Sequence, residues 1–218
     1  MSDARTLLEV VVEHADAAVA ADAAGASRLE LCAELQADGI TPDAAVLNAV
    51  VNRVRIPVWV MIRPRAGDFV YSEDELATCE RDIRELALRG ASGFVLGVLR
   101  RDGTVDIAAT RRLVECAHGL PVTFHRAFDR TPDLAVALED VVTAGVSRVL
   151  TSGGAPAAAE GTGPLADLVQ RSRGRVVIMA GGGVRAHNMT QIVARTGVNE
   201  VHARFESAAQ VRAMVDLL

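Results

Sequence analysis

A repeated change of period is what most constrains this chain. Short β-branched runs alternate with longer stretches of helical spacing, and the pair recurs eight times. Strands are expected over residues 7–12, 28–32, 58–62, 94–98, 122–125, 148–151, 176–180 and 201–204. Helices are expected over 14–24, from Pro42 with Thr41 as N-cap, from Ser72 to near Gly90, over 107–117, from Pro132 with Thr131 as N-cap to Gly145, and over 165–173, 188–194 and 207–218. Alternating βα units imply a parallel sheet. Eight of them in 218 residues predict one α/β domain over 1–218, a closed (β/α)8 TIM-like barrel. An open doubly wound sheet would more often carry a glycine-rich first turn, and Val12-Glu13-His14 has no glycine. The small-residue stretch 153–163 reads as a mobile loop.

Strand parity then places the charges. Barrel side chains point alternately inward and toward the helices, and the helix-facing set is apolar. With Leu29 and Leu31 outward, Arg28, Glu30 and Cys32 face in. The same rule turns Glu9, Trp59, Met61, Arg63, Thr123, His125, Arg148, Ser152, Glu200 and His202 inward. Buried charge is costly unless paired, so Arg28, Arg148 and Glu200, early in their strands, are expected to form an ion-pair layer. Cys32, Arg63, His125 and His202 come late and are expected at the C-terminal mouth, where barrel active sites lie. Glu9 and Glu30 fall one layer beneath.

Three stretches at the mouth carry candidate chemistry. In Arg63-Pro64-Arg65 two guanidiniums suit a carboxylate or phosphate; alternatively Arg63 pairs with Glu30 or Glu9, and Arg65 is a surface charge. In His125-Arg126-Ala127-Phe128-Asp129, an acid/base group, an anion-binding group and an orienting group fall within five residues. The alternative has Asp129 capping the following turn over Arg126. Gly181-Gly182-Gly183 bares backbone amides before a helix, the usual phosphate position of a barrel, and Ser152-Gly153-Gly154 could add to it; the alternative is tight turns.

Composition narrows the partners. Only seven residues are aromatic and the formal charge is −5, which argues against nucleic acid. The opening Met1-Ser2-Asp3-Ala4-Arg5 has no signal-peptide pattern, and no apolar run approaches the roughly 18 residues that span a bilayer. A cytoplasmic setting without membrane contact is expected. Cys32, Cys79 and Cys116 are too few and too far apart for a disulfide framework or a CxxC zinc site.

These stretches, with Leu8-Glu9-Val10, Gly39-Ile40-Thr41-Pro42, Gly67-Asp68-Phe69-Val70-Tyr71-Ser72 and Glu200-Val201-His202, resemble the CutC family of copper homeostasis proteins. The match runs in family order along nearly the whole chain. It implies a TIM-like barrel, a cytoplasmic protein and a link to copper, with a homodimer admitted. Where the family commonly has a cysteine after Leu-Glu-Val, this chain has Val11.

Two functions follow. One is binding of Cu(I) by Cys32 with Met or His. The other is an enzyme acting on a small anion, with Glu9, Glu30 and His125 catalytic and with Arg63, Arg65, Arg126, Asp129, Ser152, Gly181, Gly182, Gly183 and His202 binding the ligand. A non-catalytic scaffold barrel is the third possibility, favoured if the interior charges all pair with one another.

Overall fold

The computed structural model describes residues 6–218; the reading of Met1–Arg5 lies outside them. Among the described residues, eight parallel strands close into a barrel in sequence order, with β8 returning to pair with β1. The strands are β1 Leu7–Val12, β2 Arg28–Leu31, β3 Val58–Met61, β4 Gly93–Leu96, β5 Val122–Phe124, β6 Arg148–Thr151, β7 Val177–Ala180 and β8 Glu200–Arg204. The helices that follow them are α1 Ala15–Ala23, α2 Ala44–Val51, α3 Glu73–Leu88, α4 Ile107–Cys116, α5 Leu134–Thr143, α6 Thr162–Ser172, α7 Ala186–Thr196 and α8 Ala208–Val215. This is the expected (β/α)8 barrel.

The main core lies between strands and helices, where Leu8, Val10, Leu29, Leu31, Val60, Phe94 and Phe124 pack outward as their parity requires. Glu9 aligns with Arg28 and His202 in the neighbouring strands, and Met179 with Glu200, so the inward charges stack in shared layers. At α3 the Ser72 hydroxyl accepts from the Glu75 amide while the Glu75 carboxylate accepts from the Ser72 amide, the reciprocal cap its spacing predicts.

Two local expectations are corrected. Thr41 does not cap α2, which starts after Asp43; its hydroxyl is held by the backbone of Arg63 instead. Thr131 does not cap α5, because Asp133 accepts from the Ala135 and Val136 amides and the Thr131 hydroxyl donates to the Phe128 carbonyl. The small-residue stretch 153–163 packs closely: a Cβ on Gly161 would stand 1.9 Å from the Ser152 carbonyl oxygen, and α6 begins within the stretch at Thr162.

Candidate functional site

The barrel is sealed from below by paired charge. Arg28 donates to Glu9 and, at 2.6 Å, to Glu200. Arg148 grips Glu200 through two bonds, at 2.6 and 2.8 Å. Both guanidiniums lie over the Trp59 ring, 4.9 and 4.5 Å from its centroid. The predicted ion-pair layer is therefore present, and Met179 belongs to it, 3.4 Å from Arg28 Nη2.

Directly above it, His202 stands between two carboxylates. Its Nδ1 is 3.0 Å from Glu9 Oε1 and 3.4 Å from Glu30 Oε2. The three residues bring ligand-type atoms within 4.8 Å of one another. Burial pushes the Glu9 carboxyl up, but the His202 hydrogen bond and the Arg28 charge outweigh it and hold it at about 2. Glu30 lacks such a partner: burial, with the Glu9 charge beside it, pushes its carboxyl up to about 7 against the opposing pull of His202. Burial disfavours His202 protonation, yet Glu30 and Glu9 together raise its value. Two carboxylates of one type are thus set far apart, the pattern of a site that holds a proton at a chosen place.

A cavity of about 640 Å³ opens over this group. Glu30 and His202 line its floor, with Val11, Leu35, Met61 and Phe69 on the β1–β3 side, Arg126, Arg130 and Arg185 on the loops after β5 and β7, and Arg204 at the end of β8. His125 lines it as well. The ring of His125 accepts from the Ala127 amide at Nδ1, which places the remaining proton on Nε2. Burial and the nearby Arg63 charge push it down to about 3, so it is neutral at physiological pH.

The other expected residues distribute unevenly. Arg63 is buried, but it neither pairs with Glu30 or Glu9 nor lines this cavity. Its guanidinium donates to the carbonyls of Ala37, Gly39 and Gly67 at 2.8–2.9 Å and stacks on Phe69, tying the loops after β2 and β3 together. Arg65 pairs with Glu75 and Asp68 outside the cavity, as a surface charge. Asp129 does not cap the turn that follows it. It accepts from the Thr151 hydroxyl and the Ser152 and Gly154 amides, pairs with Arg126 at 2.8 Å, and so fixes the loop after β6 against the one after β5. Ser152 accepts from Arg126 within that brace and is itself buried. Gly182 and Gly183 line the cavity, and Gly182 leaves room for Arg126, whose Nη1 would stand 3.2 Å from an added Cβ. Gly181 sits behind them, where a Cβ would meet Leu150 at 2.4 Å.

The CutC family profile matches residues 6–207. This chain belongs to the CutC family. It is 44% identical to the Homo sapiens "Copper homeostasis protein cutC homolog" over 92% of this chain and 74% of that one. It is 47% identical to a family protein CutC of Caulobacter vibrioides, over 94% and 83% of the two chains. The crystal structure of CutC from Streptococcus agalactiae superposes with a TM-score of 0.85 at 35% identity, covering 90% of this chain and 97% of that one.

Within the CutC barrel, Cys32 lies elsewhere than its late strand position suggested. It is fully buried in a small interior cluster with Val11, Trp59, Met61 and Val95, capped by Leu35. Burial and the charges of Glu30 and Glu13 push its thiol up, so it stays protonated. A Cβ on Gly39 would be 3.4 Å from Cys32 Sγ and 3.5 Å from Met61 Cε, so the two sulfur-bearing side chains share one wall. Val11 belongs to the same cluster. Three cavity arginines, Arg130, Arg185 and Arg204, were not among the expected site residues. Arg204 was within reach, since it continues the parity of Glu200 and His202; Arg130 and Arg185 sit on loops, where no period operates.

Proposed function

We propose that this CutC family member handles copper as cargo and takes the ion at the barrel mouth on Glu30 and His202, with Glu9 behind them. The carrying observation is the assembly itself: two carboxylates and an imidazole with ligand atoms within 4.8 Å, two of the three residues lining an open cavity. The names of the relatives support the copper role. Oxygen and imidazole nitrogen donors suit Cu(II) better than Cu(I). Cu(I) would instead favour the Cys32–Met61 sulfurs, whose thiol burial keeps protonated. Loading the mouth displaces the proton held on His202 Nδ1, so affinity rises with pH. Among the described residues no helix is long and apolar enough to cross a membrane, and a cytoplasmic setting belongs to the same proposal. Titration with Cu(II), and with Cu(I) under reductant, compares wild type with Glu30→Gln, His202→Gln and Cys32→Ser. Cu(II) affinity is expected to fall at least tenfold in the first two variants and to hold in the third. Loss in Cys32→Ser alone would move the site to the sulfurs.

A second reading, proton-transfer catalysis on a small anionic metabolite, is favoured by the Glu30 carboxyl near 7 beside the Glu9-held imidazole of His202. In it Glu30 and His202 exchange the proton, neutral His125 donates a hydrogen bond, and the cavity arginines hold the anion. Deuterium uptake from D2O into a mixture of phosphorylated and carboxylic carbonyl compounds, lost in Glu30→Gln, is the expected result; no uptake in wild type refutes it.

A further inference from the structure

The cavity is far larger than a copper ion needs. At about 640 Å³ it falls in the range of organic-ligand sites. Its two walls also differ in chemistry. On the β1–β3 side it is apolar: Val11 and Met61 are 4% and 5% exposed, and Leu35 and the half-buried Phe69 stand in front of them.

The arc from β5 round to β8 is cationic, and at its β8 end Arg204 aligns with Val11 of β1, so charge and apolar surface meet there. Arg126 is engaged by Asp129 and Arg185 by Glu206, so both are largely neutralised. Arg130 and Arg204 are different: both line the cavity, and neither makes a side-chain hydrogen bond or ion pair among the described residues. Gly182 and Gly183, both with positive φ, turn the backbone between them and leave that wall free of side chains. The carboxylates that line the cavity do not cancel this: Asp129 is spent on Arg126, Glu30 lies on the floor, and Asp38 stands on the apolar side. Two unpaired guanidiniums facing a concave site, in a chain whose formal charge is −5, are a recognition device for an anion.

We infer that the mouth takes an amphipathic organic anion, its apolar body on Val11, Leu35, Met61 and Phe69 and its anionic head at Arg130 and Arg204 beside the Gly182-Gly183 turn. This deepens the second reading and rests on it only for the charge of the ligand. Binding requires neither turnover nor metal. The head is a phosphate monoester or a carboxylate, and the body is an aryl or alkyl group large enough to cover the apolar wall.

Calorimetric titration of metal-free, full-length protein with four probes tests it: phenyl phosphate, phenylacetate, inorganic phosphate and phenol. One of the two amphipathic anions is expected to bind at least tenfold more tightly than either inorganic phosphate or phenol, and which of them wins identifies the head group. Arg130→Ala and Arg204→Ala, both at exposed positions that leave the core intact, should each weaken that probe about tenfold, the worth of one charge-assisted contact, without changing phenol. Phe69→Ala should erase the preference over inorganic phosphate. The inference is overturned if neither amphipathic anion binds, if inorganic phosphate binds as well as both, or if the two arginine variants bind like wild type. None of these outcomes bears on copper, which is absent from the titration, and a probe that binds without reacting separates this inference from catalysis.

Discussion

Removing the carboxylate of Glu200 should be among the most damaging single changes in the barrel. Glu200 is 4% exposed and shared by two guanidiniums, with three bonds of 2.6–2.8 Å to Arg28 and Arg148. In Glu200→Gln the shape is kept while the charge is lost. Arg28 still has Glu9, but among the described residues Arg148 keeps no carboxylate, and its Nη1 already lacks a hydrogen-bond partner there. Trp59, which both cations overlie, has little room to adjust, because the Gly93 backbone is pressed against its ring: a Cβ there would be 2.7 Å away. Breaking a buried pair from one side costs about 3–5 kcal/mol. For a chain of this size each kcal/mol lowers Tm by about 2–4 °C, so a drop of roughly 6–20 °C is expected by calorimetry. Removing the stranded cation as well, in Glu200→Gln/Arg148→Met, should restore part of the loss. A drop under about 2 °C in the single variant, or a double variant no better than the single, would refute the claim that this layer is buried and mutually neutralised.

Other consequences follow from the same geometry. A carboxyl held at about 7 in the native state, against an ordinary value of 4.5, favours the protonated fold. Metal-free protein should therefore lose stability as pH rises from about 4.5 to about 7, and Glu30→Gln should abolish that loss; parallel pH–Tm curves would refute it. The contribution of His202 has the same sign, complete below 6.5 and lost as pH climbs through its raised native value. The His125 ring signals in NMR should stay flat between pH 5 and 8, because burial holds the ring at about 3. Gly97→Ala would put a Cβ 2.5 Å from that ring and should cost about 1–3 kcal/mol while shifting those signals. Arg63→Met should cost roughly 2–4 kcal/mol by urea unfolding, since three carbonyls lose a charged donor.

The barrel and its interior charge were legible because both are carried by period. A two-residue alternation against an apolar helix-facing set was enough to turn Glu9, Glu30 and His202 inward and to pair Arg28 and Arg148 with Glu200. What parity could not follow is where a long side chain ends. Cβ of Arg63 points in, yet its guanidinium reaches three loop carbonyls, and loop carbonyls leave no mark in a strand pattern. Cys32 follows the last residue of β2 and was assigned to the mouth, but the short turn Leu35–Ala37 folds Leu35 over its cluster. Thr41 and Thr131 were eligible caps on local grounds, and tertiary and turn partners took their hydroxyls. The cavity arginines on loops had no periodic signal at all, which is why the cationic wall emerges only in three dimensions.

Anomalous diffraction at the copper edge, from crystals grown with Cu(II), tests the central claim most directly. A single peak within bonding distance of Glu30 and His202, absent from Glu30→Gln crystals, is the predicted result. A peak beside Cys32 and Met61, or none at the barrel mouth, would contradict it.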